Sequence, residues 1–211
     1  MPSYTGVDYF NIDSLLSDEE KMVRDMVRDF VEDNIIPVIE KNYREGTFPM
    51  DLIPKMGEVG LFGANLPSQY GGSDMNNVAY GLVMQELERG DSGVRSFVSV
   101  QSALVMYPIY TFGSEEQRLK WLPRLAKGEV IGCFGLTEPD FGSNPGGMVT
   151  KAEKTEGGYI LNGAKMWITN GTLADVAVVW AKLDGKVAGF LVEKGMKGFT
   201  APEMKGKHSL R

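Results

Sequence analysis

The spacing of the apolar residues changes once along the chain, near Val130, and this change constrains the fold more than any other feature. Before it, apolar residues recur every three or four positions, as in amphipathic helices. After it, short alternating segments are separated by turn dipeptides such as Asn162-Gly163 and Asp184-Gly185, which are strong hairpin signals. The sequence therefore predicts an α+β protein, with an all-α helical bundle over residues 1–128 and an antiparallel β-barrel-like domain over residues 129–211.

Local signals place several helices in the first half. Ser17 is followed three residues later by Glu20, which predicts a capping box at a helix start, and Ser114 opens another helix that ends at Gly128. A mostly apolar stretch over residues 91–110 predicts a buried helix. One apolar face is expected on the first helix, formed by Met22, Val23, Met26, Val27, Phe30 and Val31.

The second half contains five strand-like segments with no helix between them. Each is short, and glycine-containing turns separate most of them. The segments cover residues 149–154, 159–162, 165–169, 176–182 and 186–193.

Composition narrows the classes of partner. The chain has 211 residues, 43% of them hydrophobic, with a net charge of -6 and a pI near 5.0, which argues against nucleic acid and membrane surfaces as partners. Cys133 is the only cysteine and His208 the only histidine, so the sequence offers no set of metal ligands and fits a reducing compartment. Without a secretion signal or a long apolar run, we expect a soluble intracellular protein.

Two stretches near the change of spacing carry the candidate chemistry. In residues 132–143, Gly135 and Gly142 would let a flat ligand approach the backbone, and Thr137 and Ser143 offer hydroxyl groups beside backbone N–H groups.

In residues 165–171, Trp167 and Thr169 lie two positions apart on an expected strand and would face the same side. A ring that needs stacking on its face and donors at its edge, such as the isoalloxazine of a flavin, would suit both stretches. The alternative is an ordinary Thr- and Trp-bearing strand in a β-domain core.

Arg95 is unusual because it lies in the apolar stretch over residues 91–110. A buried guanidinium must find a partner or reach a cavity. One interpretation is an ion pair with a neighbouring acid, Glu88 or Asp91.

The two stretches together resemble the flavin-binding signature of acyl-CoA dehydrogenases. The matching residues are 134–139 followed by Gly142-Ser143, with 167–170 a short β-segment later, and the resemblance extends over essentially the whole chain. It implies FAD as cofactor and the acyl-CoA dehydrogenase architecture. The residues that it places at the cofactor are Phe134, Leu136, Thr137, Gly142, Ser143, Trp167, Ile168 and Thr169.

Within that family, residues 86–102 are similar to the segment of glutaryl-CoA dehydrogenases that receives the distal carboxylate of a glutaryl group. The resemblance implies a bidentate ion pair of Arg95 with that carboxylate, assisted by Ser96 or Ser99, and a contact of Ser143 with the CoA chain. Val94 departs from the family pattern, because an aromatic residue is common there.

The resemblance also implies a reaction and partners. A carboxylate base removes the α-proton of the thioester, the β-hydride passes to flavin N5, and an electron-transfer flavoprotein takes the electrons. Glutaryl-CoA would then lose carbon dioxide to give crotonyl-CoA. A homotetramer is implied, in the cytoplasm of a prokaryote or in the mitochondrial matrix.

The base of the family is a glutamate in a further helical domain, so the resemblance assigns no catalytic residue to residues 1–211. We expect this chain alone not to turn over. Two alternatives stay open: another flavin-dependent acyl-CoA dehydrogenase or oxidase in which the Arg95 ion pair is structural, and a non-catalytic module that pairs with a separate helical chain.

Overall fold

The first part of the chain is helical, as its apolar spacing predicts. The computed structural model describes residue 7 and residues 9–210. None of the helices in this part of the chain is long and apolar enough to cross a lipid bilayer. The α-helices are α1 (Asp18–Phe30), α2 (Ile36–Glu45), α3 (Leu52–Glu58), α4 (Asn77–Gly90), α5 (Ser92–Ser99), α6 (Tyr107–Phe112) and α7 (Glu115–Ala126), with π-helical turns at Val31–Ile35 and Val100–Met106 and 3-10 turns at Ile12–Leu15, Ser68–Tyr70 and Pro145–Gly147.

The predicted capping box at Ser17 and the predicted helix start at Ser114 are confirmed. Ser17 Oγ accepts a hydrogen bond from the Glu20 N–H at 3.2 Å, and the Glu20 carboxylate accepts one from the Ser17 N–H at 2.8 Å. Ser114 and Gln117 make the same reciprocal bonds at the start of α7. These bonds satisfy backbone donors that have no partner within the helix, and so they fix where α1 and α7 begin.

The apolar face of α1 is narrower than its sequence predicts. Val27 and Phe30 are buried, as is Val31 just beyond the helix. Met22 is 70% exposed and Met26 is 40% exposed. Only one side of α1 packs against a neighbouring helix, α4, so two of the six predicted positions remain at the surface.

The second part of the chain forms one sheet around a long central strand. Its strands are β1 (Gly132–Gly135), β2 (Lys151–Thr155), β3 (Gly158–Asn162), β4 (Val176–Leu183) and β5 (Lys186–Glu193). The hairpins β2–β3 and β4–β5 are antiparallel, with turns at residues 156–157 and at the predicted Asp184-Gly185. The hairpin turn predicted at Asn162-Gly163 is wrong, because a loop follows β3 there. However, β1 and β2 each pair with β4 in parallel, so the sheet is mixed rather than antiparallel throughout. The long connection between β1 and β4 is what permits this parallel pairing, because parallel strands cannot be joined by a short turn.

The strand expected over residues 165–169 is not formed. Residues 163–175 are instead a loop, in which Trp167 has φ 63° and Asn170 has φ 66°. These left-handed conformations are incompatible with an extended strand. The expectation that Trp167 and Thr169 face one side of a strand is therefore wrong.

The helices and the sheet share a hydrophobic core. Val176 and Val178 of β4 belong to the same buried cluster as Phe97 of α5 and Ile109 of α6. The approach is close at Gly132 of β1, where an added Cβ would lie 2.4 Å from the side chain of Val105. The sheet is thus seated directly on the helices, while the boundary between residues 128 and 129 stays a prediction.

A buried amide side chain joins the two halves. Gln101, in the second π-helical turn, has no exposed surface. Its Nε2 donates to the carbonyl oxygens of Leu125 and Val130 at 3.0 and 2.9 Å, and its Oε1 accepts from the Gly132 N–H at 2.8 Å. One side chain therefore holds the end of α7, the connection after it and the first residue of β1.

Replacing Gln101 by Met is expected to lower the free energy of unfolding by about 3 kcal/mol, because it leaves buried backbone groups without hydrogen-bond partners. Q85M, at an exposed position of α4, is the control and should change it by less than about 0.5 kcal/mol. The measurement is urea unfolding followed by circular dichroism. Equal midpoints for Q101M and Q85M would contradict this role of Gln101.

Candidate functional site

The first candidate segment leaves the sheet at the end of β1 as a loop over residues 136–150, called here the first loop. Phe134 precedes it on β1 and packs edge to face on Trp180, with ring centroids 6.0 Å apart. Leu136 and Thr137 are partly buried at its start. Gly142 and Ser143 are exposed further along, and an added Cβ at Gly142 would meet nothing within 4 Å. The chain itself therefore leaves open space at Gly142.

The second candidate segment is the loop over residues 163–175, called here the second loop. Trp167 is 59% exposed, Thr169 is exposed, and Ile168 between them is partly buried and packs with Ala174 and Ala177. An exposed indole is unusual, because large aromatic side chains are normally mostly buried. This loop thus presents an apolar face and a hydrogen-bonding group to a potential ligand.

Three consecutive residues of the first loop are tied to the second loop. The ammonium group of Lys165 donates to the carbonyl oxygen of Leu136 at 3.0 Å and to Oε1 of Glu138 at 2.8 Å. The backbone N–H of Met166 donates to the carbonyl oxygen of Thr137 at 2.9 Å. The structure therefore brings together the segments that carry Thr137 and Trp167, as the sequence predicts, although by loop contacts rather than on a strand.

Glu138 is the buried anion of this junction. Its side chain is 1% exposed, and it also accepts the backbone N–H groups of Val149 at 2.7 Å and Thr150 at 3.0 Å. Burial alone would raise the pKa of Glu138, but Lys165 and the two backbone donors outweigh it and lower the pKa to about 2. Glu138 is therefore ionised throughout the physiological range and cannot serve as a proton acceptor there.

Asn170 connects the second loop to the helical half. Its side-chain amide donates to the carbonyl oxygen of Gly132 at 3.2 Å and to that of Phe97 at 3.4 Å. Its left-handed backbone conformation is one that asparagine tolerates better than most residues. Since Phe97 lies in α5, the helix that carries Arg95, Ser96 and Ser99 is held next to the second loop.

Arg95 has an acidic partner. Its Nε donates to Glu88, and Glu88 also accepts a hydrogen bond from Ser92 Oγ at 2.6 Å. These two bonds lower the pKa of Glu88. Of the two acids considered from the sequence, Asp91 is occupied elsewhere, because its side chain caps α5 through the Val94 N–H. Among the described residues no hydrogen bond from the two terminal nitrogens of Arg95 is found, and its side chain is 33% exposed.

The two serines next to Arg95 are partly buried. Ser99 Oγ donates to the carbonyl oxygen of Ser96 at 3.1 Å, so the Ser99 hydroxyl proton is already used within the helix. Burial raises the pKa of Tyr80 of α4, and the positive charge of Arg95 offsets part of this rise. Sequence reasoning missed Tyr80, because it looks like an ordinary helix residue.

One cavity of the described structure lies away from the two loops. It has a volume of about 330 Å³ and opens between α6 and the β4–β5 hairpin, lined by residues such as Phe112, Trp180 and Leu191. A smaller one of about 140 Å³ lies beside the start of α5 and includes Ser92 and Val94. None of the predicted flavin-contacting residues lines either of these two cavities.

Sequence reasoning also missed the residues that hold the loops. Glu138 and Asn170 lie inside the recognised stretches, yet only the residues expected to face a ligand were singled out. A signal was available: Glu138, the first acid after an apolar strand, and Lys165, the one lysine of the answering stretch, have opposite charges. Pairing them required knowing that the two stretches meet.

Comparison with known proteins identifies the family. Residues 17–129 match the family model described as "Acyl-CoA dehydrogenase, N-terminal domain", and residues 133–211 match "Acyl-CoA dehydrogenase, middle domain". The chain belongs to the acyl-CoA dehydrogenase family. Members of this family are FAD-dependent oxidoreductases that act on CH–CH groups.

Individual relatives of the acyl-CoA dehydrogenase family differ in substrate. The crystal structure of a glutaryl-CoA dehydrogenase from Mycobacterium smegmatis in complex with FADH2 is 51% identical with a TM-score of 0.95, covering 99% of this chain and 54% of that chain. An acyl-CoA dehydrogenase of Bacillus subtilis is 40% identical (92% of this chain, 53% of the relative), and a mitochondrial isovaleryl-CoA dehydrogenase of Arabidopsis thaliana is 37% identical (93% and 50%). The chain spans about half the length of these relatives.

Replacing Glu138 by Gln is expected to lower the free energy of unfolding by about 3 kcal/mol at neutral pH, because Lys165 loses its buried counter-charge. The folded carboxylate has a pKa of about 2, below its ordinary value of 4.5. Its stabilising contribution is therefore complete above that ordinary value and is lost as the pH falls towards 2.

The measurement is urea unfolding of the original chain and of E138Q at several pH values. The difference between them should shrink from pH ~5 to pH ~2. E156Q, which changes an exposed acid in the turn after β2, is the control and should show little difference at any pH. A difference between the original chain and E138Q that does not vary with pH would contradict this role of the carboxylate.

Proposed function

We propose that this chain supplies the flavin site and part of the acyl-CoA site for α,β-dehydrogenation of an acyl-CoA. The observation that carries the proposal is the tie between the two loops, in which Lys165 and Met166 bond to residues 136–138. This tie holds Thr137 next to the loop with the exposed Trp167 and Thr169. The general base is assigned to no residue of this chain.

The groups at the two loops fit a flavin. Trp167 offers an exposed aromatic face, Thr137, Ser143 and Thr169 offer hydroxyl groups, and the space at Gly142 allows close approach to the backbone. Apolar contacts would come from Phe134, Leu136 and Ile168. Bound FAD supplies the hydride acceptor of the reaction, and the residues of this chain orient it and shield it from water.

The chain is expected to retain a visible flavin spectrum after incubation with FAD and desalting. T169V should weaken FAD binding about fivefold, because a hydrogen bond to a neutral group contributes about 1 kcal/mol. T172V, at another exposed threonine of the second loop, is the matched control and should change it less than about twofold. Fluorescence titration with FAD measures both, and equal effects of the two variants would contradict the assigned role of Thr169.

Glutaryl-CoA is the proposed substrate. Glu88 engages Nε of Arg95, which leaves the planar fork of terminal nitrogens for a carboxylate. A distal carboxylate of the acyl chain matches that fork, with Ser96 or Ser99 beside it. The similarity to the mycobacterial glutaryl-CoA dehydrogenase supports this choice, and loss of carbon dioxide to give crotonyl-CoA would follow dehydrogenation.

A second candidate is favoured by one observation. Because Arg95 already has Glu88 as its ion partner, the cation is neutralised without any substrate. The pair would then be structural, and the substrate would be an acyl-CoA without a second carboxylate. The relatives with other acyl substrates support this alternative.

Replacing Arg95 by Gln is expected to weaken binding of glutaryl-CoA to the FAD-loaded chain at least about tenfold and to leave butyryl-CoA nearly unchanged. A hydrogen bond between charged groups contributes about 1.5–3 kcal/mol, which glutaryl-CoA would lose in this variant. Butyryl-CoA has no distal carboxylate, so its binding does not depend on Arg95. R44Q, which changes an exposed arginine, is the control. Titration calorimetry measures the affinities, and equal losses for the two thioesters would favour the structural ion pair.

The remaining parts of the proposal concern partners and organisation. An electron-transfer flavoprotein is the proposed electron acceptor, and the complete enzyme is proposed to be a homo-oligomer in the cytoplasm or the mitochondrial matrix. The family resemblance supports each of these. We also propose that the domain boundary lies between residues 128 and 129, where the helical part gives way to β1.

A further inference from the structure

The Glu138 carboxylate and the Lys165 ammonium form a buried ion pair that none of the proposed ligand contacts uses. The side chain of Glu138 is 1% exposed and that of Lys165 is 11% exposed, with 2.8 Å between Oε1 and Nζ. Removing two charges from water is costly, and a buried ion pair stabilises a protein little more than well-packed apolar residues would. The location of this pair therefore needs a reason other than stability.

The location is the junction of the two loops. The Lys165 ammonium bonds to the carbonyl group just before Thr137 and to the side chain just after it. The next residue, Met166, bonds to Thr137 itself. Each of three successive residues in the first loop is thus fixed against two successive residues in the second.

The surroundings make this arrangement specific for a lysine. The carbonyl oxygen of Leu136 and the carboxylate of Glu138 both accept from one compact ammonium group, which a planar guanidinium does not reproduce. The lysine stem passes close to Gly135, where an added Cβ would lie 3.3 Å from Lys165 Cγ. The backbone N–H groups of Val149 and Thr150 orient the carboxylate from the other side.

We propose that Glu138 and Lys165 are a positioning pair that sets the placement of the two loops relative to each other and thereby the geometry of the FAD site. The pair acts through Thr137, Trp167 and Thr169 and does not itself touch the ligand. This inference rests on the proposed function, because it assigns the purpose of the pair to flavin binding.

The test compares four forms of the 211-residue chain: the original, E138Q, K165M and the double variant E138Q/K165M. The double variant leaves no buried charge unpaired, so it is expected to fold even if a single variant does not. Circular dichroism checks folding. K120M and E193Q are the controls, because Lys120 and Glu193 form an ion pair that is far more exposed, at 48% and 40%.

Two measurements are made on each protein. FAD titration, followed by flavin fluorescence and by the visible absorption maximum, reports the site. Amide hydrogen exchange at Met166 reports the tie between the loops without any flavin, and exchange at Val192 in the β4–β5 ladder serves as an internal reference.

The expected result is a loss of FAD affinity of about tenfold or more in E138Q/K165M, equivalent to at least ~1.4 kcal/mol. It should be accompanied by at least about tenfold faster exchange at Met166 and by unchanged exchange at Val192. Coupling between the two groups predicts that the double variant loses less than the single variants added together. The controls should stay within about twofold of the original in every measurement.

Three outcomes would overturn the inference. Unchanged exchange at Met166 in the double variant would show that the pair does not hold the loops. Faster exchange with unaltered FAD affinity and absorption would show that the pair is structural only. Faster exchange at Val192 as well would show general destabilisation.

The inference and the proposed function fail in different ways. If the original chain binds no FAD, the proposed flavin site of this chain and the purpose assigned to the pair fall together. Faster exchange at Met166 in that case would still establish that the pair joins the loops. If the original chain binds FAD and the variants bind it equally well, only the positioning role falls.

Discussion

The buried amide of Gln101 determines where the sheet begins. It lies in a π-helical turn, is fully enclosed, and satisfies backbone groups of Leu125, Val130 and Gly132 at once. Because unpaired buried backbone groups are costly, these bonds favour one position for the start of β1 against the helices. The first loop starts where β1 ends, so Gln101 contributes to the position of that loop relative to α5.

From that anchor the candidate site is assembled by polar contacts between segments distant in sequence. Asn170 fixes the second loop to β1 and α5, and Lys165 fixes it to the first loop. Two of the residues proposed to face a ligand, Trp167 and Thr169, are exposed. Rigid support beneath exposed functional groups is the usual way in which a binding loop obtains a defined shape.

Local signals in the sequence predicted much of the fold, because the interactions behind them are local. The capping boxes at Ser17 and Ser114 involve residues three positions apart, and the turns at residues 156–157 and 184–185 join neighbouring strands. The parallel pairing of β1 with β4 involves residues more than 40 positions apart, for which periodicity carries no information.

The candidate site was predicted in composition but not in conformation. Residues 165–169 were expected to form a strand, yet residues 163–175 form a loop that Lys165 bonds to residues up to 29 positions earlier. The partner of Arg95 was open between Glu88 and Asp91, and helix capping by Asp91 removed one of the two. In both cases the sequence did not show that a side chain, Lys165 or Asp91, makes hydrogen bonds elsewhere in the fold.

The π-helical turn at Val100–Met106 rotates the side chains of α6 about the helix axis relative to those of α5. In an α-helix each residue turns the chain by about 100°, so a wider turn changes the phase of everything that follows. α5 directs Phe97 into the core and leaves Arg95 partly exposed, whereas α6 buries Ile109 and exposes Phe112. The continuous helical segment from α5 to α6 can thus contact the second loop through α5 and lie beside the β4–β5 hairpin through α6.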